Sequence, residues 1–170
     1  MNEQELIERY EGGERDFSGV DLRDADLHGA KLPKVNLREA DLTAAKLYGA
    51  DLGEADLTWA ILSGADLREA NLRDTDLVGA SLEGALLNGA DLSAARLVGV
   101  NLRGAILNGA NLSQAKLRGA NLIEASMREA NLEAADLSRA NLSRAEISPK
   151  QLARVGSLKG TTMPDGRKRD

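Results

Sequence analysis

The side chains able to do proton transfer, metal binding or nucleophilic attack are few in kind. His28 is the only histidine, and there is no cysteine, which removes disulfides, thiolate nucleophiles and cysteine-rich zinc sites. General acid–base or metal work needs several convergent groups, and His28 stands alone at an outward turn position, so it reads as a solvated surface residue. Carboxylates are abundant, but they recur because a short sequence unit recurs. A pair at glycosidase separation would follow from the stacking of that unit and would not indicate hydrolysis. The glycines keep the same period and form no phosphate-binding loop ahead of a helix. The terminal run Arg167-Lys168-Arg169 is too short to define a nucleic-acid site. No catalytic, cofactor-binding or metal-binding residue is assigned, and the chain reads as a non-enzyme.

A five-residue repeat must position everything else, and repeats of this kind dictate the fold. From Val20 to Ala145 every fifth residue is Ala except Val20, Val35, Thr75 and Val100. Two residues after each stands Leu, except at Met127 and Ile147. Counting from Phe17, the 27 centres run to Ile147 without an insertion. In a helix such a period would turn each Leu by about 140° from the last and scatter the set around every side. In an extended segment, residues two apart point the same way, so Ala and Leu share one side and the next two residues must turn the chain. The chain therefore winds around an axis with Ala and Leu inside. Glycine at the second position after eleven of the centres fits a type II corner, which needs positive φ there. Positions 34, 54, 74, 94, 114 and 134, one coil apart if a coil has 20 residues, hold no glycine, which predicts a different turn type along that edge.

The pattern resembles that of the pentapeptide-repeat family, A(D/N)LXX, as in Ala25-Asp26-Leu27-His28-Gly29 and Ala70-Asn71-Leu72-Arg73-Asp74. The match covers about three quarters of the chain. Gly13-Glu14-Arg15-Asp16-Phe17 and the segment from Leu158 to Gly166 are similar to those of cyanobacterial members. The resemblance implies an all-β solenoid: a right-handed quadrilateral parallel β-helix with four units per coil, just under seven coils, and a rod roughly 30 Å tall at about 4.8 Å per coil. It also implies a structural or protein-interaction role. An alternative comes with it, because quinolone-resistance members imitate duplex DNA and bind a type II topoisomerase. This chain departs from those members in having Leu almost throughout where they mix in Phe, and in breaking the acidic surface with residues such as Arg73, Arg96 and Lys116.

A solenoid needs lids on its open ends. Asn2 and Glu5 form a capping-box pattern before Leu6, Ile7 and Tyr10, and Gly12-Gly13 stops that helix. Ser148-Pro149-Lys150-Gln151 opens a second helix, with Gly156 expected to end it and a mobile tail to follow. The expected organisation is a capping helix over residues 1–13, the repeat over 14–147, and a capping helix and tail over 148–170. The net charge of −5 is spread among interspersed acids and bases. The start has no signal-peptide pattern, and no stretch is apolar for long enough to span a bilayer, so a cytoplasmic location is expected.

Against a polar exterior, the apolar exceptions are Trp59, Ile61, Val78 and Val98 near one corner and Leu86, Ile106 and Ile123 near the next. They bracket a polar side that includes Ser63, Ser81, Glu83, Asn101 and Arg103, as an interface with apolar borders would. The expected partner is another protein or a second copy of the chain. Nucleic acid, a membrane, a cofactor and a small-molecule substrate are not expected.

Overall fold

The computed structural model describes all 170 residues. They wind into a right-handed four-sided coil between two short helices, α1 (Glu3–Glu11) and α2 (Pro149–Leu152). Each unit makes one parallel bridge to the unit 20 residues on, from Asp16 with Asn36 through Ser126 with Glu146. Four faces result. Face 1 is centred on the column from Phe17 and Leu37 to Leu137, face 2 on Leu22 to Leu142, face 3 on Leu27 to Ile147, and face 4 on Leu32 to Leu132.

The unit Val20-Asp21-Leu22-Arg23-Asp24 shows why the sequence makes this shape. Leu22 N–H donates to Asp41 C=O of the next coil (2.8 Å) and Asp24 N–H to Thr43 C=O (2.9 Å). Asp41 N–H returns to Val20 C=O (2.9 Å), and Ala25 N–H closes the corner on Leu22 C=O (3.1 Å). One backbone donor per unit has no backbone partner, that of Arg23, and the Asp21 carboxylate accepts it at 3.2 Å. The same bond recurs at Gly53 to Asp51, Arg73 to Asn71 and Ser113 to Asn111. Asp or Asn before each Leu is thus an Asx cap that satisfies the fifth N–H of the repeat. Stacking bonds between coils are secondary: Asn71 Nδ2 donates to Asp51 (2.7 Å) and Asn131 Nδ2 to Asn111 (3.3 Å).

Leu and Ala point inward and form one continuous buried cluster from Leu6 to Ala145. Thr75 replaces Ala in it without leaving its hydroxyl unpaired, because Oγ1 donates to Leu52 C=O at 3.1 Å. No buried side-chain nitrogen or oxygen lacks a partner.

The edge without glycine does not adopt a different turn. Lys34, Glu54, Asp74, Ala94, Gln114 and Ala134 have φ between 55° and 60°, close to Gly49 at 63° and Gly89 at 66°. At every corner the second turn residue donates to the coil above, Glu54 N–H to Arg73 C=O and Gly64 N–H to Glu83 C=O, both at 2.9 Å. That bond fixes the left-handed conformation whatever the side chain, at about 1–2 kcal/mol per residue that the stacked ladder offsets.

At the first coil, Leu6 is fully buried and Tyr10 Oη donates to Pro33 C=O at 2.7 Å. At the last coil, α2 has the capping box between Ser148 and Gln151, and Gln151 Nε2 donates to the carbonyls of Met127 (2.6 Å) and Ala130 (2.9 Å). The helix stops at Leu152, not Gly156, and the ladder then resumes one residue out of phase: Asp136 bridges Ser157 and Asn141 bridges Thr162. Gly156 occupies the inward Ala position of that extra unit, where a Cβ would approach Ala134 C=O to 3.0 Å. The tail expected to be mobile folds back as an antiparallel bridge between Thr162 and Lys168. Arg169 N–H donates to Thr161 C=O at 2.9 Å. No helix is long and apolar enough to cross a membrane.

Candidate functional site

The stacked Asx caps place the outward side chains in vertical columns, and the candidate residues take their geometry from those columns. Val78 and Val98 stand at the end of face 1, Trp59 on the corner after it, Ile61 in the middle of face 2 and Ile123 at its end. Leu86 and Ile106 bridge one another on face 3. Trp59 and Ile61 are strongly exposed, at 57% and 43%. Val78, Leu86, Val98, Ile106 and Ile123 are half-buried among their column neighbours. Trp59 holds a left-handed backbone (φ 60°), and its ring lies across Gly79 of the next coil, where any Cβ would overlap it. The indole is therefore laid along the rod.

Between the apolar borders, face 2 is tied together by polar contacts. The hydroxyls of Ser63 and Ser81 are 2.9 Å apart, Asn101 Nδ2 donates to Glu83 at 3.3 Å, and Arg103 pairs with Glu124 at 3.8 Å. Tyr48, on the corner between faces 3 and 4, is also exposed at 43%. Its hydroxyl donates to Glu69 at 2.8 Å, and Arg68 lies over its ring at 5.7 Å. Its signal in the sequence was an aromatic residue at an outward turn position.

The groups with proton chemistry do not converge. His28 Nδ1 is 2.6 Å from Asp26 and both side chains are exposed. No three His, Asp or Glu side chains gather in a geometry that would hold a metal ion. The largest recess, about 810 Å³, is an open groove at the top of faces 3 and 4, where α2 takes the place of a rung. Leu132 and Ile147 form its floor, and the pairs Arg154–Glu133 (2.9 Å) and Arg128–Glu146 (2.8 Å) stand at its rim.

Several carboxylates sit below their usual range. Asp21 is lowered to about 2, chiefly by its hydrogen bonds from the Arg23 side chain, with the Arg23 N–H adding to it. Asp26 is lowered by His28, Asp66 by Arg68, and Asp136 by Ser138. Groups depressed on folding add stability above their unfolded values, about 4, and lose it as pH falls through the folded ones. Thermal melts are therefore expected to hold steady from neutral pH down to about 4 and to fall between about 4 and about 2. A melting temperature constant to pH 2 would show that the caps contribute nothing.

Comparison with known proteins places this geometry. A family model described as pentapeptide repeats matches residues 21–58, 50–89, 85–122 and 115–148, in 8 copies. Among solved structures, the chain is similar to HetL, a pentapeptide repeat protein involved in heterocyst differentiation regulation from the cyanobacterium Nostoc sp. strain PCC 7120. They share 31% identity over 99% of this chain and 100% of HetL, with a TM-score of 0.28. It is similar to Rfr23 from the cyanobacterium Cyanothece 51142 at 32% identity over 81% of this chain and 97% of that one, TM-score 0.42. Full-length QnrB1, a plasmid-mediated fluoroquinolone resistance protein, is 20% identical over 87% of this chain and 81% of its own length, TM-score 0.39. The search of curated proteins returned no match.

Proposed function

From the premise that the chain belongs to the pentapeptide-repeat family, we propose that it is a non-enzymatic interaction module, a rigid rod that presents face 2 and its apolar borders to another protein. The observation that carries this reading is the exposure of Trp59 and Ile61 beside each other on a surface whose columns are otherwise polar. A repeat that fills its interior with Leu and Ala leaves its side faces as the surface for recognition. A flat aromatic held against backbone loses little side-chain freedom on contact, and Trp is enriched at binding hot spots.

Trp59→Ala combined with Ile106→Ser is expected to weaken capture of a partner from cells of the source organism by tenfold or more, with circular dichroism unchanged. Equal capture by the folded variant retires this surface. Topoisomerase binding by DNA mimicry is the competing reading, and it needs a sustained negative potential. Here the acids are interrupted by bases at contact distance, as in Arg23–Asp21 (2.6 Å), Arg68–Asp66 (2.6 Å) and Arg144–Glu124 (3.2 Å). Purified protein at stoichiometric ratio is expected to leave gyrase supercoiling unchanged, and inhibition would reverse the ranking.

A further inference from the structure

Charge is distributed unevenly along the rod. Residues 1–80 contain 9 Lys and Arg against 18 Asp and Glu, a net of −9, whereas residues 81–170 contain 13 against 9, a net of +4. Sorted onto the four faces, the polarity concentrates on face 1. Its lower four rows present Glu14, Asp16, Glu54, Asp56, Asp74 and Asp76 against Lys34 and Arg38. Its upper rows present Arg96, Lys116, Arg118, Arg154 and Lys159 against Asp136. Faces 3 and 4 show no such reversal from acidic to basic. Several of these charges have no counterion in the chain: Asp16 and Asp56 below, and Lys116, Arg118 and Lys159 above, form no ion pair.

We propose that face 1 pairs with face 1 of a second copy of this chain, antiparallel, about a two-fold axis between the rows of Leu77 and Leu97. A two-fold axis lying in the interface across the rods keeps each column opposite itself and reverses the order of rows. Asp56 then faces Lys116 of the second copy, Asp76 faces its Arg96, and Glu14 faces its Arg154. The half-buried Val78 and Val98 meet across the centre, and no like charges lie directly opposite one another. A parallel pair would set Asp56 on Asp56 and Lys116 on Lys116. An acidic or a basic protein would match only half of the face, whereas a reversed copy matches both halves. The eight rows make the contact about 35 Å long. End-to-end stacking competes poorly, because α1 covers the first coil, and the extra rungs at Ser157 and Thr162 continue over two sides of the last.

This inference rests on the reading that the sides of the rod are its working surfaces, but it uses a different side from the one proposed for another protein. The test is sedimentation and light scattering of the full chain. Wild type is expected to form a dimer in about 20 mM salt and to weaken by tenfold or more at about 0.5 M salt, where the screening length is only about 4 Å. Arg96→Glu with Lys116→Glu is expected to be monomeric, and its equimolar mixture with Asp56→Lys plus Asp76→Lys to restore the dimer. Asp56 and Asp76 also cap the N–H groups of Thr58 (2.9 Å) and Val78 (3.2 Å). If the Lys variant loses its fold, Asp56→Asn with Asp76→Asn keeps both acceptors and must still weaken wild-type association. Three results would overturn the pairing: wild type monomeric at about 1 mM in low salt, open-ended growth instead of a closed pair, or dimerisation of Arg96→Glu/Lys116→Glu equal to wild type. A monomeric wild type would leave the face 2 reading standing, and unchanged capture by Trp59→Ala/Ile106→Ser would leave this one standing.

Discussion

Replacing Leu92 with Asp is expected to destabilise the protein by roughly 4 kcal/mol or more, the largest effect of any single substitution considered for the coil. Leu92 is 1% exposed in the middle of face 4, with Ala90 and Ala95 buried beside it in the sequence. Removing a buried Leu costs about 2–5 kcal/mol, and a carboxylate in its place has no donor within the Ala and Leu interior. In a solenoid each coil touches only its neighbours, so the damage should concentrate in the coils above and below. Hydrogen exchange should show lost protection centred on Leu72 and Leu112. Arg73→Ala is the matched control: its guanidinium reaches Asp74 at 3.3 Å in solvent, and its loss is expected to change stability by no more than about 0.5 kcal/mol. Equal melting temperatures for the two variants would show that the Leu column does not face inward.

Ending the chain after Ile147 is expected to have the second large effect. The truncation deletes the rungs at Ser157 and Thr162, which accept from Leu137 N–H (2.9 Å) and Leu142 N–H (2.8 Å). It also removes the Gln151 amide from the carbonyls of Met127 and Ala130. Leu137 and Leu142, now buried, would become the top of an open coil beside unpaired strand edges. The shortened protein should associate with rising concentration, and it should do so at about 0.5 M salt as well, because apolar edge pairing is not screened as surface charge is. Light scattering that stays monomeric in high salt would show that the C-terminal segment does not cap the coil.

The strict return of Ala and Leu every five residues was enough to determine which side chains lie inside, because no helical period keeps such a set on one side while an extended chain with regular corners does. The two helix starts were equally legible, since Asn2 and Ser148 act through groups only three residues away, accepting from Glu5 N–H at 2.8 Å and Gln151 N–H at 3.2 Å. What depended on residues 20 apart was not legible. The absence of glycine at Glu54 and Gln114 suggested another turn, but the bond from each corner N–H to the coil above imposes the same left-handed backbone. The phase slip after Leu152 concealed two further rungs, because the helical turn of α2 takes one residue more than a coil side before Ser157 rejoins the ladder. The apolar exceptions could be sorted to corners by counting, yet only stacking laid the Trp59 ring over Gly79 and left Ile61 more open than Val78. The opposed charges of face 1 are likewise unremarkable along the chain. They become one bipolar surface only when coils of 20 residues set Asp56, Asp76, Arg96 and Lys116 above one another, because a column is a property of the winding and no local run of sequence contains it.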